Sequence, residues 1–463
     1  MRRLEKAGLI GLGLVAGISL SLHFSALADK ETLVTPLPIE ELRAFTEVFG
    51  HIKSNYVEPV SDKKLFTEAI NGMLNGLDPH SSYLDADAFK DLQVGTQGEF
   101  GGLGIEVGME DGLVKVISPI EDTPAYQAGI KSGDLILKLD DSLVKGMTLN
   151  DAVKRMRGKP GSKIVLTILR KNENKPFIIT VVRAVIKVQS VKSKLIEPGY
   201  GFVRVTQFQE HTGENLATAL EKLVKDNKSD LKGMVLDLRN DPGGLLDGAV
   251  AVSAAFLAKD ALVVYTEGRS EETKMRLTAT PEFYLRGNGK NDYIQNIPAS
   301  IKSVPLVVLV NGGSASASEI VAGALQDHKR AVIMGTQTFG KGSVQTVLPL
   351  GNNTAIKLTT ARYYTPGGRS IQAKGIVPDI LVEDPSTAGA DNTFRLREAD
   401  LEKHLINDKQ PEEKTSSVTK PEVAPKSNGD NDKLTPVEFG TKNDYQLNQA
   451  LNLLKGMQIL HGK

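Results

Sequence analysis

The chain has 463 residues, with 56 Lys and Arg balanced by 56 Asp and Glu, and it contains neither Cys nor Trp. This length allows two or three domains with a sizeable core, and the balanced charge gives no reason to expect nucleic acid as a partner. The lack of Cys excludes disulfides and thiol chemistry in this chain. Sparse aromatic residues argue against a stacking platform for single-stranded nucleic acid.

The first 28 residues have the pattern of a secretory signal peptide. Three basic residues among the first six precede an apolar stretch that ends near Leu22, and Ala26-Leu27-Ala28 supplies an A-x-A cleavage site. This order of basic, apolar and small residues directs export, so we expect a periplasmic protein cleaved after Ala28. An uncleaved membrane anchor is the alternative, because residues 7–28 approach spanning length.

Residues 29–97 are predicted to form an N-terminal helical region. Its first helix carries an apolar stripe at helical spacing, and we expect that stripe to face a core. The stripe consists of Leu42, Phe45, Val48, Phe49 and Ile52. The sequence Asp78-Pro-His-Ser-Ser-Tyr83 then ends the helical pattern.

Residues 98–185 are predicted to form a small module rich in β-strands. Short apolar strands alternate with glycine turns and two short helices, and Gly101-Gly-Leu-Gly-Ile105 opens the segment. This pattern resembles a PDZ domain. Such domains bind an extended peptide as an added strand and hold its terminal carboxylate with backbone N–H groups.

The resemblance to PDZ domains implies a peptide-binding role for five residues. Leu103, Gly104 and Ile105 would form the carboxylate-binding loop. Val153 and Met156, three residues apart on the second helix, would line the side-chain pocket. The alternative is that Leu103 and Ile105 are ordinary core residues, which would be the better interpretation of an isolated G-x-G.

Residues 186–385 alternate strands and helices, a pattern typical of an α/β layer. Residues 386–436 are rich in Lys, Glu, Pro, Ser and Asn, a composition that predicts a disordered linker. Residues 437–463 are predicted to contain a helix with one apolar face, which could dock on a partner or on the body of the protein. The predicted fold class is therefore a multidomain α+β and α/β protein, made of a helical segment, a PDZ β-module, an α/β core, a linker and a C-terminal helix.

The stretch Asn311-Gly-Gly-Ser-Ala-Ser-Ala-Ser-Glu319 is the most informative of the chain. It joins the apolar run 305–310, a predicted buried strand, to apolar residues at 320, 321, 324 and 325, which have the spacing of a helix face. Free backbone N–H groups and the helix dipole stabilise negative charge at such a helix start, as a nucleophile and its oxyanion require. The alternative is helix capping, but three alternating serines exceed what a cap needs.

A serine nucleophile needs a base, and the sequence favours lysine over histidine. His328 would lie about three helical turns from Ser316, at ~1.5 Å rise per residue, which is too far to reach back. Lys341 follows the predicted strand 331–334 and sits between two glycines, which allow close approach of the backbone. An apolar pocket lowers the pKa of a lysine towards neutrality. A phosphate loop is the rival interpretation, but Gly340-Lys-Gly-Ser343 departs from the order G-K-[ST].

Several motifs together resemble the carboxy-terminal processing (tail-specific) protease family, from about residue 38 to residue 384. They are Gly76 to Tyr83, Asp237-Leu-Arg-Asn-Asp-Pro-Gly-Gly244, Asn311 to Leu325, Phe339 to Gln345, Tyr364 to Gln372 and Gly375-Ile-Val-Pro-Asp379. The resemblance implies a serine protease with an embedded PDZ domain that cleaves substrate proteins near their C-termini.

The same resemblance assigns roles within the site. Ser316 would be the nucleophile and Lys341, 25 residues later, the base. Gln345 would orient the amine, and the backbone N–H groups of Gly243 and Ala317 would form the oxyanion hole. Glu319 is expected to be structural or supportive.

The resemblance also implies regulation and partners. Arg157 matches a position that links the PDZ domain to the active site in relatives, although a solvated turn arginine fits its sequence context equally well. The expected partners are proteins or peptides with accessible C-termini, a lipoprotein adaptor and further copies of the chain, joined through terminal helices. Neither a metal nor a cofactor is expected.

Two other functions are alternatives. A peptide-binding scaffold could use the PDZ module without catalysis, but intact Ser316, Lys341 and Gln345 argue against it. A cell-wall enzyme with S-x-x-K would need that pattern at a helix start. None of its four occurrences, at Ser61, Ser142, Ser229 and Ser417, follows a glycine-rich turn.

Overall fold

The computed structural model describes residues 38–120, 123–171, 173, 175–187, 189–286, 291–383, 385, 397–409 and 439–461. The predicted signal peptide and most of the predicted linker lie outside these ranges. Within them, no helix combines the length and the apolarity that a bilayer crossing requires. By its internal contacts the chain divides into two units, Met1–Ala69 and Ile70–Lys463.

The first unit contains helix α1 (Ile39–Asn55) and most of α2 (Asp62–Asn75). Phe49 and Phe66 join the two helices, with ring centroids 5.0 Å apart. No residue of α1 is buried, and the side chain of Val48 is 58% exposed. The expectation that the apolar stripe of α1 faces a core is therefore wrong, because a pair of helices offers too little surface to cover it.

A PDZ-like module opens the second unit after a short helical lead. The lead consists of β1 (Ser82–Leu84), α3 (Ala86–Gln97) and β2 (Glu99–Gly102). The module consists of β3 (Ile105–Glu110), β4 (Leu113–Pro119), α4 (Pro124–Gln127), β5 (Leu135–Leu139), β6 (Ser142–Leu143), α5 (Leu149–Met156), β7 (Lys163–Leu169) and β8 (Phe177–Val182). Strand β9 (Ala184–Lys187) then pairs with β2 and closes the module.

The sheet of this module has the order β3-β4-β5-β7-β8, and β6 pairs with β5. Alternating apolar residues of these strands, such as Ile164, Leu166 and Ile168, form its buried core. Within the described residues β3 pairs with β4 alone, so β3 is an edge strand with one side open for hydrogen bonding.

The α/β core that follows the module is built on a six-stranded, mostly parallel sheet, as the alternating pattern predicted. Its strands, in spatial order, are β10 (Val191–Glu197), β11 (Tyr200–Val205), β12 (Gly233–Asp237), β15 (Leu306–Val310), β16 (Val332–Gly335) and β19 (Ile380–Leu381). One face packs on three helices, α6 (Thr212–Asn227), α7 (Leu246–Phe256) and α9 (Ala317–Asp327). Both faces of the central strands are buried, which explains their unbroken apolar runs.

A second, mainly antiparallel sheet lies beside the first. It consists of β13 (Leu262–Gly268), β14 (Arg276–Thr278), β17 (Ser343–Pro349), β18 (Ala355–Tyr364) and β1, with a short helix α8 (Pro281–Tyr284) after β14. Strand β18 pairs with β17 on one side and with β1 on the other. This sheet therefore brings the segment around Asp78 to the hairpin that follows Lys341.

The C-terminal helix α10 (Tyr445–His461) covers the other face of the six-stranded sheet. Its Leu447, Ala450, Leu451 and Leu454 are all buried, against side chains such as Phe202 and Val235. The apolar face predicted for this helix is confirmed, and it docks on the body of the protein. Asp444, immediately before α10, also binds the fully buried guanidinium of Arg239.

Part of the predicted linker is ordered. Residues 397–409 contain a 3-10 turn, Glu398–Asp400, and the side chain of Glu398 is completely buried. It accepts hydrogen bonds from His80, at 2.8 Å, and from Gln372, at 2.9 Å. The structure therefore differs here from the prediction of disorder over 386–436. Hydrogen bonds from residues distant in sequence offset the cost of burying the Glu398 carboxylate, which composition alone would place in solvent.

Candidate active site

Three loops converge at one edge of the six-stranded sheet. Strands β12, β15 and β16 are parallel and in register, so the loops that follow Asp237, Val310 and Gly335 leave from the same edge. Crevices at the carboxyl ends of such strands are the usual binding sites of α/β sheets. Here the loops line a cavity of about 630 Å³. The predicted residues that line it are Ser316, Lys341, Gln345, Gly243 and Ala317.

Ser316 is the one serine of the three whose hydroxyl lines this cavity. The hydroxyls of Ser314 and Ser318 are buried and donate to the backbone carbonyls of Leu238, at 2.8 Å, and Asp241, at 2.9 Å. Ser316 caps α9 with φ 55° and ψ −112°, a conformation that a residue with a side chain rarely adopts. Backbone strain of this kind concentrates at functional sites. The geometry therefore singles out the middle serine.

Lys341 lines the same cavity and is partly buried. Burial and the nearby charge of Lys357 lower the pKa of its amine, while Glu398, Glu319 and Asp78 act in the opposite direction. In the described part of the chain, Nζ of Lys341 makes no hydrogen bond. The neutral amine that a general base requires is thus favoured by its surroundings.

Glu319 ties the serine loop to the lysine loop. Its buried carboxylate accepts hydrogen bonds from the backbone N–H groups of Ser316 at 2.8 Å, Gly340 at 2.7 Å and Lys341 at 3.0 Å. The Thr338 hydroxyl donates a fourth, at 2.5 Å. Burial raises the pKa of Glu319 to about 7 against the opposing effect of these four donors. The supportive role predicted for this residue agrees with these contacts.

We expect Glu319→Gln to lose at least about tenfold in peptidase rate and to unfold at a lower temperature. One amide oxygen cannot serve four donors, and each buried donor left unpaired costs about 1–3 kcal/mol. Steady-state hydrolysis and thermal unfolding measure the two effects. Thr338→Ser retains the hydroxyl donor and is the control that should keep both. Wild-type rates in Glu319→Gln would show that the four contacts are dispensable.

Tyr363 is a site residue that the sequence argument missed. Its side chain is fully buried, its hydroxyl donates to the backbone carbonyl of Lys341, and it lines the same cavity as Ser316. Burial raises its pKa well above the ordinary value, so the phenol stays protonated. The sequence signal that could have identified Tyr363 is its position in β18, the strand that pairs with the strand of Gln345. A tyrosine in a strand is, however, more often a core residue.

Gln345 lines the cavity, yet its amide nitrogen is engaged elsewhere. Nε2 donates to the hydroxyls of Ser343, at 3.0 Å, and Thr359, at 3.3 Å. No hydrogen bond joins it to Lys341 among the described residues. The orienting role of Gln345 therefore stays a prediction.

The N–H of Gly243 does not face the cavity as the predicted oxyanion hole requires. It donates to Oδ1 of Asp241 at 2.8 Å. Gly243 has φ 94°, and a Cβ on it would lie 2.8 Å from Cβ of Ser316 and 2.9 Å from the nitrogen of Ala317. Only glycine fits this approach. The loop thus lies against the turn of Ser316 while the Gly243 N–H is bound to a carboxylate, and the oxyanion-hole role of Gly243 stays a prediction.

Comparisons with known proteins show which family the chain belongs to. A model of peptidase family S41 matches residues 199–382, a PDZ model matches residues 101–181, and a model of the activating protease CtpB N-terminal domain matches residues 21–88. The chain is 46% identical to a carboxy-terminal-processing protease of Bartonella bacilliformis over 452 residues, which are 96% of each protein. The chain belongs to the carboxy-terminal processing proteases. It is a serine-type peptidase of family S41 with a PDZ domain.

Two further relatives are more distant. The carboxy-terminal processing protease CtpB of Bacillus subtilis is 34% identical over 81% of this chain and 75% of that protein. A solved structure of a photosystem II D1 C-terminal processing protease is 30% identical, with a TM-score of 0.41, and the match covers 73% of this chain and 86% of that one.

The PDZ residues of this protease fall into two groups. The side chains of Leu103 and Met156 are buried in the module core, at 2% and 6% exposure, whereas Ile105 and Val153 are only partly buried. Gly104 has φ 78° and lies against Thr123. The Leu103 side chain is therefore an ordinary core residue, as the alternative interpretation stated. Any binding of a peptide carboxylate would use the backbone N–H groups of this loop.

Arg157 links the PDZ module to helix α3. It forms an ion pair of 3.2 Å with Asp91, and its guanidinium lies 4.8 Å from the ring centroid of Phe100. Lys154 lies 3.8 Å from Asp87 on the same helix. Arg157 thus contacts helix α3 while its side chain stays 39% exposed to solvent, and its regulatory role stays a prediction.

Asp241 is a buried carboxyl that should make the stability of the protease depend on pH. Its carboxyl is buried, Oδ2 has no hydrogen-bond partner among the described residues, and burial raises its pKa to about 7. A carboxyl whose pKa is raised by folding stabilises the protein below its ordinary pKa of 3.8, and that contribution is lost as pH rises to about 7.

We therefore expect Asp241→Asn to gain stability relative to wild type as pH rises from about 4 to 8. At 1.36 kcal/mol per pH unit, the difference amounts to on the order of 4 kcal/mol. Urea unfolding at the two pH values measures it, and the exposed Asp230→Asn is the control, which should show no such trend. Parallel pH dependence in wild type and Asp241→Asn would contradict the assignment.

Proposed function

We propose that this protease is exported, that it cleaves proteins near their C-termini with a dyad of Ser316 and Lys341, and that its PDZ domain binds the substrate tail. One observation carries the proposal. The Ser316 hydroxyl and a lysine whose amine is held towards its neutral form line one cavity, while both neighbouring serines are bound to backbone carbonyls.

In the proposed mechanism, the neutral amine of Lys341 accepts the Ser316 proton as Oγ bonds to the scissile carbonyl carbon. The peptide C–N bond then breaks, the proton passes to the leaving amine, and an acyl-enzyme remains. A water molecule gives a proton to Lys341, attacks the ester and releases the acid, and Ser316 regains its proton.

The developing oxyanion would be stabilised by the N–H of Ala317, which begins helix α9, and by the N–H of Gly243. Because Gly243 donates to Asp241 in this structure, its N–H must turn towards the cavity before catalysis. We assign the present arrangement to a resting state. Arg157, through its ion pair with Asp91, would connect the PDZ domain to the change.

The open edge of β3 supports tail binding by the PDZ domain. A peptide tail could add to this edge as a strand, next to the loop of Leu103, Gly104 and Ile105, with Val153 at the side-chain pocket. The alternative, a peptide-binding scaffold without catalysis, would use the same edge.

Export, oligomerisation and an adaptor complete the proposal. The pattern of residues 1–28 supports a periplasmic location, with a membrane anchor as the alternative. Exposed apolar residues on α1 and at the end of α10, including Phe45 at 44% and Leu460 at 77%, support association of copies through terminal helices. A lipoprotein adaptor rests on the family resemblance alone.

The test compares wild type with Ser316→Ala on an unfolded substrate protein that carries an apolar C-terminal tail. We expect the variant to bind a tail peptide with unchanged affinity and to cleave nothing, by mass spectrometry of the products. Cleavage by Ser316→Ala would contradict the nucleophile. Tail binding without cleavage by the wild-type protein would favour the scaffold.

A further inference from the structure

The segment Asp78 to Ser82 lies next to the catalytic hairpin, and the mechanism above leaves it without a role. Strand β1 starts at Ser82 and pairs with β18, with Ser82 opposite Lys357. On the other side of β18, Thr359 stands opposite Gln345 of β17. The topology thus places Thr359 between the Asp78 loop and Gln345.

Asp78 is a buried carboxylate with a full set of partners. At 4% exposure, it accepts hydrogen bonds at Oδ1 from the backbone N–H of His80, at 2.8 Å, and of Ser81, at 2.9 Å. Oδ2 accepts from the Ser81 hydroxyl at 2.7 Å. Burial acts to raise the pKa of Asp78, but these hydrogen bonds hold it below its ordinary value. The group is therefore ionised and can only accept hydrogen bonds.

Because the Asp78 carboxylate can only accept, it determines the direction of the hydrogen bonds from Thr359 and Gln345. The Thr359 hydroxyl lies 3.1 Å from Oδ1 of Asp78 and must donate its proton there. Its oxygen can then only accept from Gln345, whose Nε2 lies 3.3 Å away. With the amide nitrogen held by Thr359 and Ser343, the amide oxygen is left for the cavity that Lys341 lines.

We propose that Asp78 is a positioning residue for catalysis, which acts through Thr359 to fix the Gln345 amide with its oxygen towards the amine of Lys341. An amide oxygen in that orientation can accept a hydrogen bond from the neutral amine and direct its lone pair at Ser316. The reverse orientation would present an N–H₂ donor that competes for the same lone pair. This inference rests on the proposed Ser316–Lys341 dyad.

The pair Thr359→Val and Thr359→Ser tests the relay. Valine keeps the shape and removes the hydroxyl, whereas serine keeps the hydroxyl. We expect Thr359→Val to lower kcat for a tail peptide by about tenfold or more with KM within about twofold, and Thr359→Ser to restore most of kcat, in line with the effect of positioning a general base. Equal kcat in wild type and Thr359→Val would overturn the inference.

Asp78→Asn gives an independent readout in the pH profile. The charged groups that act on Lys341 are Lys357, Asp78, Glu319 and Glu398, the last of which pairs with His80. Because the Asp78 charge raises the pKa of Lys341, its removal should move the acid limb of kcat to lower pH while kcat itself falls. A residue that only stabilised the fold would not move that limb, so an unmoved limb would contradict the inference.

Failure of the inference can be distinguished from failure of the proposed function. If Ser316→Ala and Lys341→Ala both abolish cleavage while Thr359→Val and Asp78→Asn match wild type in kcat and pH profile, the dyad stands and the relay is wrong. If Lys341→Ala still cleaves, the dyad itself fails, and the relay fails with it.

Discussion

Lys341→Ala should abolish peptide hydrolysis while the fold remains intact. General base catalysis contributes about 10²–10⁴-fold in rate, and a serine hydroxyl without a base is a weak nucleophile. Loss of the side chain leaves the backbone bonds of residue 341 to Glu319 and Tyr363 in place, so thermal unfolding should change little. Product formation followed by mass spectrometry measures the rate, and circular dichroism confirms folding.

The neighbouring Lys357 is a matched control for Lys341. It lines the same cavity but is not assigned a proton-transfer role. Its charge lowers the pKa of Lys341, so Lys357→Ala should still cleave, with the acid limb of its pH profile displaced to higher pH. In wild type, activity should fall as pH decreases and Lys341 becomes protonated. If Lys341→Ala cleaved as fast as Lys357→Ala, the base would have to be another group.

Asp444→Ala should destabilise the protease by about 1–3 kcal/mol for each buried donor that it leaves unpaired, while Asp237 still pairs with the guanidinium of Arg239. Arg239 is completely buried, and Asp444 binds it through Nη1 at 2.8 Å and Nη2 at 2.6 Å. Burial alone would raise the pKa of Asp444, but Arg239 and two backbone N–H groups hold it below its ordinary value. The stabilisation is therefore present near neutral pH and is lost in acid.

The same helix offers a control for Asp444→Ala. Lys455 of α10 forms an ion pair with Glu197 at 2.8 Å, with side chains 40% and 43% exposed, and exposed pairs contribute at most about 1 kcal/mol. Urea unfolding of Lys455→Ala should therefore stay close to wild type. Because Arg239 directly precedes the loop of Gly243, Asp444→Ala should also lower peptidase activity. Equal stability of the two variants would show that the buried cluster does not hold α10 to the core.

The sequence predicted those parts of the fold that depend on local patterns. The predicted strands 305–310 and 331–334 correspond to β15 and β16, and the predicted apolar face of the C-terminal helix is buried. The choice of Lys341 followed from its glycine-rich setting and from the family resemblance, whereas the choice of Ser316 among the three serines came from the resemblance alone. For both residues, the motif that identifies them lies within one short stretch of sequence.

Contacts between distant segments could not be predicted in this way. Glu398 lies 318 residues from His80 along the chain. The sequence around Glu398 is as polar as that of a linker, and nothing in it indicates the hydrogen bond with His80. The donor of Gly243 turns to Asp241 because of the conformation of one loop, which composition does not determine. The exposure of α1 likewise depends on which surface is available to cover it, and a hydrophobic stripe does not specify that surface.

The central claim is that Lys341 activates Ser316, and the pH dependence of Ser316 modification tests it most directly. A serine-reactive fluorophosphonate would be added to the full-length protein, and the labelled residue and its labelling rate determined by peptide mapping between pH 5 and 9. We predict one adduct, on Ser316, with a rate that falls in acid, and no adduct at comparable rate in Lys341→Ala. Labelling of Ser316 at an undiminished rate in Lys341→Ala, or an adduct confined to another serine, would contradict the account.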